Sequence, residues 1–447
     1  MNKKIHLVSL GCAKNLVDSE RLLASALGGL GLEAAPGAEE ADLIVLNTCA
    51  FLESAVKEAL ETLMDLGARK KAGGALMVCG CLPARYHGPE GEELIKGLPE
   101  VDLWLRPDQY HNFEKSVAGL LGLKNAPPAG PSFQADGRPV GGRILGTPFF
   151  RAYLKIAEGC DNRCRYCLIP SLRGPLKSYP AEGLVKEAGD LVDGGVRELT
   201  LVAQDLTAYG RDLGRPGALP ALVRELSARP GLDWLRLLYA YPERLSERLV
   251  KDLAGTPKVV PYLDLPFQHA SPEILKRMGR NPAPPLRLVE NLRRWWPGLA
   301  LRSTFIVGLP GETEERFAEL ESLVAAAAFD HLGVFKYSPE PGTPAAGRPD
   351  QTPQSLKEKR RRRIMAAQRK ISLARNRARL GQIFPVLVEG PAPDSDLLTV
   401  GRAPFQAPEV DGLIYFEGEQ PRAGQIVETE IIRAAPYDLV GRLRPCQ

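Results

Sequence analysis

The chain has 447 residues, 44% of them hydrophobic and 25% charged, and carries a net charge of +4. That is room for about three soluble globular domains with well-buried cores. So small a positive surplus over this length does not argue for nucleic acid by itself, and no apolar run approaches the ~20 residues of a bilayer span.

One N-terminal feature imitates a lipoprotein signal: Met1-Asn-Lys-Lys, a short apolar run, then Ser9-Leu-Gly-Cys12. The run Ile5–Leu10 contains His6 and falls short of the usual ~7–15 residue signal core. The expected location is therefore the cytoplasm, with no membrane association. There, eight cysteines fit metal ligation better than disulfides.

The first third reads as three strand–helix units, each placing cysteine after its strand. Ile5–Leu10 leads to Gly11-Cys12 and a helical pattern through Leu16, Leu22, Leu23 and Leu27, broken at Gly28-Gly29. Asp42–Leu46 leads to Asn47-Thr48-Cys49, followed by a helix from about Glu53 with Ala55, Val56, Ala59, Leu60, Leu63 and Leu66 on one face. Gly74–Val78 leads to Cys79-Gly80-Cys81 and stops at Pro83. Such alternation predicts a doubly wound parallel sheet, whose ligands gather at the carboxyl ends of the strands. A lone cysteine after a strand is usually a small buried hydrophobe. Three repeats of the arrangement instead bring Cys12, Cys49 and a third thiol into one crevice. Cys81, past the strand, is the preferred third ligand, and Cys79 is assigned to the core.

Residues 125–148 are rich in Pro and Gly with few periodic apolar positions, and read as a linker. Beyond it, Arg151–Glu158 alternates like a strand and opens onto Cys160-Asp-Asn-Arg-Cys164-Arg-Tyr-Cys167. Three thiolates cannot close a tetrahedral zinc site, which takes four ligands. A cubane iron–sulfur cluster held by three thiolates keeps one iron open to another molecule. A zinc loop with a distant fourth ligand and an accidental cluster are the alternatives.

Strand-like runs then recur at Glu198–Ala203, Trp234–Leu238, Val259–Leu265, Arg302–Val307 and His331–Tyr337. With the cysteine strand they make six βα units, too few for a closed eight-stranded barrel, with function expected on the loops after the strands. Gln204 and Gln268 end strands there and offer hydrogen bonds to a cofactor or substrate, or simply satisfy backbone. Gly308-Leu-Pro-Gly311 is a tight turn before an acidic helix start. His269 is a tempting general base, or a structural residue.

From Pro353 to Leu380, Leu356, Ile364, Ala367, Ile371, Ala374 and Ala378 recur at helical spacing on an otherwise basic helix that includes Lys359-Arg-Arg-Arg-Arg363. Its basic face is read as solvated, with nucleic-acid binding the alternative. After Gly381, the β-rich runs Ile383–Val388, Leu397–Val400, Leu413–Phe416 and Ile426–Ile432 predict a small barrel. Residues 381–447 hold five Arg, no Lys and ten Asp or Glu, a net charge of −5. That balance repels a phosphate backbone and attracts a Lys- and Arg-rich protein.

The spacing at Cys160, Cys164 and Cys167 resembles the hallmark of radical S-adenosylmethionine (SAM) enzymes. Gly11-Cys12, Asn47-Thr48-Cys49 and Gly80-Cys81-Leu82 look like the second cysteine set of the methylthiotransferase family. The stretches Ser9–Glu20, Tyr262–Ser271, Ala403–Asp411 and Tyr437–Gly441 are similar to the branch that modifies a ribosomal protein rather than the tRNA-modifying branch. Asp18 and Glu20 are read as helix-start charges.

The resemblance spans essentially the whole chain. It implies a methylthiotransferase domain over 1–124, a partial (βα)6 radical SAM barrel over 149–375 and a TRAM-like domain over 376–447. It also implies two 4Fe–4S clusters, one on Cys160, Cys164 and Cys167 and one on Cys12, Cys49 and Cys81. Tyr166, Gln204, Gln268 and Gly308 would contact SAM. The implied reaction adds a methylthio group to the β-carbon of an aspartate in small-subunit ribosomal protein S twelve, with SAM both radical source and methyl donor. It needs an electron donor that the sequence does not identify, and no stable nucleic-acid complex. Radical chemistry on an unactivated C–H bond requires no general acid or base, so no catalytic side chain is assigned. The rivals are the same chemistry on tRNA adenosine, and a two-cluster electron-transfer or RNA-binding protein without catalysis.

Overall fold

The structure, a computed structural model, describes residues 2–123 and 142–444. Most of the expected linker therefore lies outside the described residues. The chain divides into two compact units. The first comprises Met1–Gly146, Tyr153–Asn162 and Cys167–Glu187; the second comprises Thr147–Ala152, Arg163–Tyr166 and Ala188–Gln447. Among the described residues no helix is long and apolar enough to cross a membrane.

The first unit is built on a five-stranded parallel sheet of β1 (Lys4–Ser9), β2 (Glu33–Ala34), β3 (Leu43–Thr48), β4 (Ala75–Gly80) and β5 (Leu103–Leu105), in the order β2-β1-β3-β4-β5. The apolar runs of β3 and β4 are buried throughout, as strands covered on both faces must be. On one face, helix α1 (Ala13–Ala24) contributes Leu22 to a core with Ile5, Val45, Met77 and Cys79. On the other, helix α2 (Glu53–Arg69) seats Val56, Ala59, Leu63 and Leu66, at near-helical spacing, against Ile44, Leu46 and Val78. Helix α3 (Cys81–Arg85) starts directly from β4 and packs on this second face. The short strands β2 and β5, too brief for a periodic signal, are the part of the sheet that sequence reading missed.

The second unit holds an open six-stranded sheet. Its strands are β6 (Arg151–Lys155, which enters this unit only at Arg151 and Ala152), β9 (Glu198–Val202), β10 (Trp234–Leu237), β11 (Val259–Asp264), β12 (Ala300–Val307) and β13 (His331–Lys336). Their order is β13-β12-β11-β10-β9-β6, the expected partial barrel, parallel from β9 to β13. Two short strands of the first unit, β7 (Ala157–Glu158) and β8 (Lys177–Ser178), pair antiparallel on either side of the cysteine loop. Near the C-terminus β14 (Ile383–Ala392), β15 (Ser395–Arg402), β16 (Ile414–Glu417), β17 (Ile426–Ala434) and β18 (Leu439–Leu443) close a small barrel. Its last strand was not anticipated. Paired parallel to β16 and antiparallel to β17, β18 is the strand that closes the ring. A buried triad ties this barrel to the open sheet within the unit: Arg236 Nε and Arg402 Nη2 donate to Glu198 at 2.7 and 2.5 Å.

The basic helix forms over Gln354–Arg377, but its buried stripe is not the apolar one. Lys357, Arg360, Ile364, Gln368, Ser372 and Asn376 face inward, displaced by about one residue from most of the expected positions. The cause is chemical. Arg360 donates to Glu312 at 2.9 Å, Lys357 to the Tyr337 carbonyl at 2.7 Å, and Gln368 to the Phe329 carbonyl at 2.8 Å. Partnered polar groups have displaced small apolar ones on the packed face. Part of the basic run is thus structural rather than solvated.

Candidate functional site

Cys12 precedes α1, Cys49 follows β3, and Cys81 opens α3 after β4. Because β1, β3 and β4 are neighbours, their carboxyl ends bring the three thiols to one edge of the sheet. Two glycines make room there. Gly11 has φ +95°, and a Cβ on it would lie 2.6 Å from Cys49 Cβ; one on Gly80, at φ +93°, would lie 2.3 Å from Asn47 Oδ1. No other residue fits either position. The thiols sense one another: burial pushes Cys49 up to about 11, with Cys81 and Cys12 adding to the rise. Burial likewise raises Cys81, and Arg173 pulls against it. Desolvation acts on Cys12 too, but Lys14 and Arg173 outweigh it and hold that thiol below its ordinary value. Cys79 lies in the opposite core, where burial takes it up to about 12.

Around this edge lies a charged network that sequence reading missed. Arg173 Nε donates to Cys81 Sγ at 3.3 Å, and its Nη1 donates to Asp18 at 2.9 Å and to Glu158 at 3.2 Å. Its Nη2 donates to Asn15 Oδ1, whose amide nitrogen donates to the Leu10 and Thr48 carbonyls at 3.0 and 2.8 Å. Lys155 pairs with Asp18 and, at 2.8 Å, with Glu158. Asp18 and Glu20 are therefore not helix-start charges. Both are buried, and Glu20 is paired with Arg143. The available signal was Arg173 itself, six residues beyond Cys167 at the end of the short helix α6 (Ile169–Arg173, numbered after the intervening helices Pro89–Lys96 and Phe113–Leu121). A cavity of about 380 Å³ opens beside the network, lined among others by Asp18, Tyr110, Lys155, Glu158, Arg173 and Tyr179.

The loop carrying Cys160, Cys164 and Cys167 leaves β7 through Gly159, at φ +73°, where a Cβ would sit 2.1 Å from the Pro175 carbonyl. Asn162 N–H donates to Cys160 Sγ and Ile169 N–H to Cys167 Sγ, each at 3.4 Å. Such backbone donors stabilise thiolates and tune the sulfurs of iron–sulfur clusters. Cys164 and Tyr166 belong to the second unit, where Cys164 Sγ lies 3.9 Å from the Tyr241 hydroxyl. Tyr166 packs its ring against Ile274, Leu275, Met278, Leu309 and Tyr337.

At the carboxyl ends of the second unit's strands, Gln204 follows β9 and Gln268 follows β11. Gln268 sits at φ +72°, with its backbone bonded to Thr304 and Ile306 and its side-chain Oε1 buried without a hydrogen-bond partner. An orphaned buried acceptor in a left-handed residue is the kind of atom a bound ligand satisfies. Gly308, at φ +76°, owes its identity to the basic helix: a Cβ would lie 2.2 Å from Lys357 Cγ. Its N–H is taken by Glu312 Oε2 at 2.7 Å. His269 is fully buried, its Nδ1 accepting from Ser271 N–H and its Nε2 3.5 Å from Glu312. Nδ1 thus ties the ring to the following turn, while Nε2 has no hydrogen-bond partner among the described residues.

Among the described residues no three Cys, His, Asp or Glu side chains close on a point as ligands of a single ion would. The sulfurs around one zinc lie within about 4 Å of each other. A cubane holds its thiolates wider than that, and both sets present soft sulfur donors with N–H groups aimed at sulfur, so the residues fit such a group.

Three regions match described families: residues 4–106 the uncharacterized protein family UPF0004, 154–324 the radical SAM superfamily, and 380–443 the TRAM domain. Among solved structures, the radical SAM methyltransferase TsrM from Kitasatospora setae, with cobalamin and a [4Fe-4S] cluster bound, is similar at TM-score 0.56 and 18% identity. It covers 77% of each chain, a likeness of fold. Curated relatives are closer. Proteins named "Ribosomal protein uS12 methylthiotransferase RimO" are 44% identical in Geobacter sulfurreducens, covering 99% of this chain and 98% of the relative, and 45% identical in Syntrophobacter fumaroxidans, covering 99% of each. The chain belongs to the RimO family of uS12 methylthiotransferases.

Proposed function

We propose that this protein is a radical SAM methylthiotransferase that adds a methylthio group to the β-carbon of an aspartate in ribosomal protein uS12. The observation that carries the reading is the full-length likeness to the RimO relatives, at 44% identity over 99% of the chain.

In this reading Cys160, Cys164 and Cys167 hold one 4Fe–4S cluster, and Cys12, Cys49 and Cys81 hold the other. When bound, the clusters and SAM supply one-electron reduction, removal of a substrate hydrogen atom, the inserted sulfur and the methyl group. Backbone N–H groups of Asn162 and Ile169 steady the sulfurs of Cys160 and Cys167. Tyr166, on its apolar bed, presents a ring edge for the adenine. Gln268 Oε1 offers SAM an acceptor, Gln204 a second polar group, and the Gly308 turn a backbone wall. Gly11 and Gly80 let the backbone pass close enough for the strand-end thiols to share one edge.

The acidic C-terminal barrel, with net charge −5 over 381–447, suits a Lys- and Arg-rich protein partner and disfavours a stable nucleic-acid complex. The protein works in the cytoplasm with an electron donor still to be found.

The test is anaerobic. The chain is reconstituted with iron and sulfide, given SAM and reductant, and offered the aspartate-bearing loop of uS12 and unmodified tRNA in parallel, each read by mass spectrometry. A methylthio mass gain on the peptide alone is expected. Gain on tRNA alone overturns the substrate, and no SAM cleavage overturns the chemistry.

A further inference from the structure

Arg173 does more than an ion-pair partner needs to do. Lys155 bridges Asp18 and Glu158, and Arg173 balances the second carboxylate. Yet the Arg173 side chain is only 3% exposed, and its Nε is spent on a sulfur, 3.3 Å from Cys81 Sγ. Its other end is fixed by Asn15, which also holds the backbone carbonyls of Leu10 and Thr48, just before the loops of Cys12 and Cys49. The guanidinium therefore keys into the frame that carries all three thiols. The network of Arg173, Lys155, Asp18 and Glu158 has no net charge, but its members are ordered in space. Arg173 touches sulfur, and Asp18 stands behind it. At this burial solvent screens little. Both a hydrogen bond to sulfur and a nearby charge shift the potential of an iron–sulfur cluster.

We infer that Arg173 is the positioning residue of the second cluster, fixing the Cys81 sulfur and holding the cluster's reduction potential up, with Asp18 as the opposing charge. The inference rests on the reading of Cys12, Cys49 and Cys81 as cluster ligands. A positive charge against the ligand sulfur favours the state with one more electron, and removing it disfavours that state. Arg173 is also joined by one short helix to Cys167. The chain thus links the loop of one cysteine set to a ligand of the other.

The experiment uses the full-length chain with Cys160, Cys164 and Cys167 changed to Ala, reconstituted so that only the second cluster forms, and the intact holoenzyme beside it. Iron content is measured first, then the midpoint potential by electron paramagnetic resonance during redox titration. Arg173→Gln should move the potential to more negative values and Asp18→Asn to more positive ones, with Arg173→Lys lying between Arg173→Gln and the parent. If Arg173→Gln fails to hold iron, the opposite displacements of Arg173→Lys and Asp18→Asn decide the matter. Potentials that stay put, or move the same way in both, overturn the inference while leaving the ligand assignment standing. A triple-Ala chain that binds no iron overturns the ligand assignment itself.

Discussion

Glu198 is the residue whose replacement should cost the scaffold most. It is fully buried between Arg236 and Arg402, so it joins the open sheet to the C-terminal barrel. Burial by itself would raise its carboxyl, but the two guanidinium groups overcome that and hold it at about 2, against an ordinary 4.5. Held so low in the folded state, the carboxylate contributes about 3 kcal/mol at neutral pH. Removing one member of a buried pair, which strands the remaining charge, costs about 3–5 kcal/mol by comparison with other proteins. The two routes agree. Glu198→Gln keeps the shape and removes the charge, leaving Arg402 with Glu389 and Arg236 with the Pro404 carbonyl and the face of Tyr262. At pH 7 it should lower stability to denaturant by about 3 kcal/mol. Because the folded value is depressed, the contribution is complete above about 4.5 and fades as pH falls toward 2, so the gap between parent and variant should narrow over that window. As a control, Glu61→Gln breaks an exposed pair with Lys57 and should stay within about 0.5 kcal/mol. A Glu198→Gln chain as stable as the parent at pH 7 would refute the reasoning.

Cys81→Ser should remove about half of the bound iron on reconstitution, whereas Cys79→Ser, in the opposite core, should keep it all; equal iron in the two variants contradicts the ligand choice. Gly308→Ala should lower the thermal midpoint, since it adds a methyl 2.2 Å from Lys357 Cγ at a positive φ, and an unchanged midpoint counts against that packing. Gln268→Ala should weaken SAM binding about five- to tenfold, the worth of about one hydrogen bond, as measured by equilibrium dialysis. Binding of uS12 should weaken as salt rises from low to moderate ionic strength, since an acidic barrel attracts its partner through screened charge; indifference to salt removes the electrostatic argument.

Sequence by itself determined the chemistry-bearing framework. Spacing put three cysteines on one loop, and strand-helix alternation put three more at the ends of neighbouring parallel strands, because ligands and loops gather at the carboxyl edge of such sheets. The open sheet and small barrel were legible for the same reason: period-two and period-3.6 patterns report which face of an element is buried. Cys81 was preferred to Cys79 as a ligand because it follows Gly80 and lies past the strand, and the structure places Cys79 within the strand and Cys81 at the start of the next helix.

What periodicity does not report is which polar groups find each other. Asp18 and Glu20 read as helix-start charges until folding placed Lys155, Arg173 and Arg143 against them. The inward stripe of the basic helix runs through Lys357, Arg360 and Gln368 because Tyr337, Glu312 and Phe329 supply partners from distant sequence. Arg173 stood in plain view six residues after Cys167, but its role was unreadable for the same reason, since its partner is a sulfur 92 residues away. Hydrophobic pattern is a local property and is written along the chain, whereas the pairing of buried charges is decided only when distant segments meet.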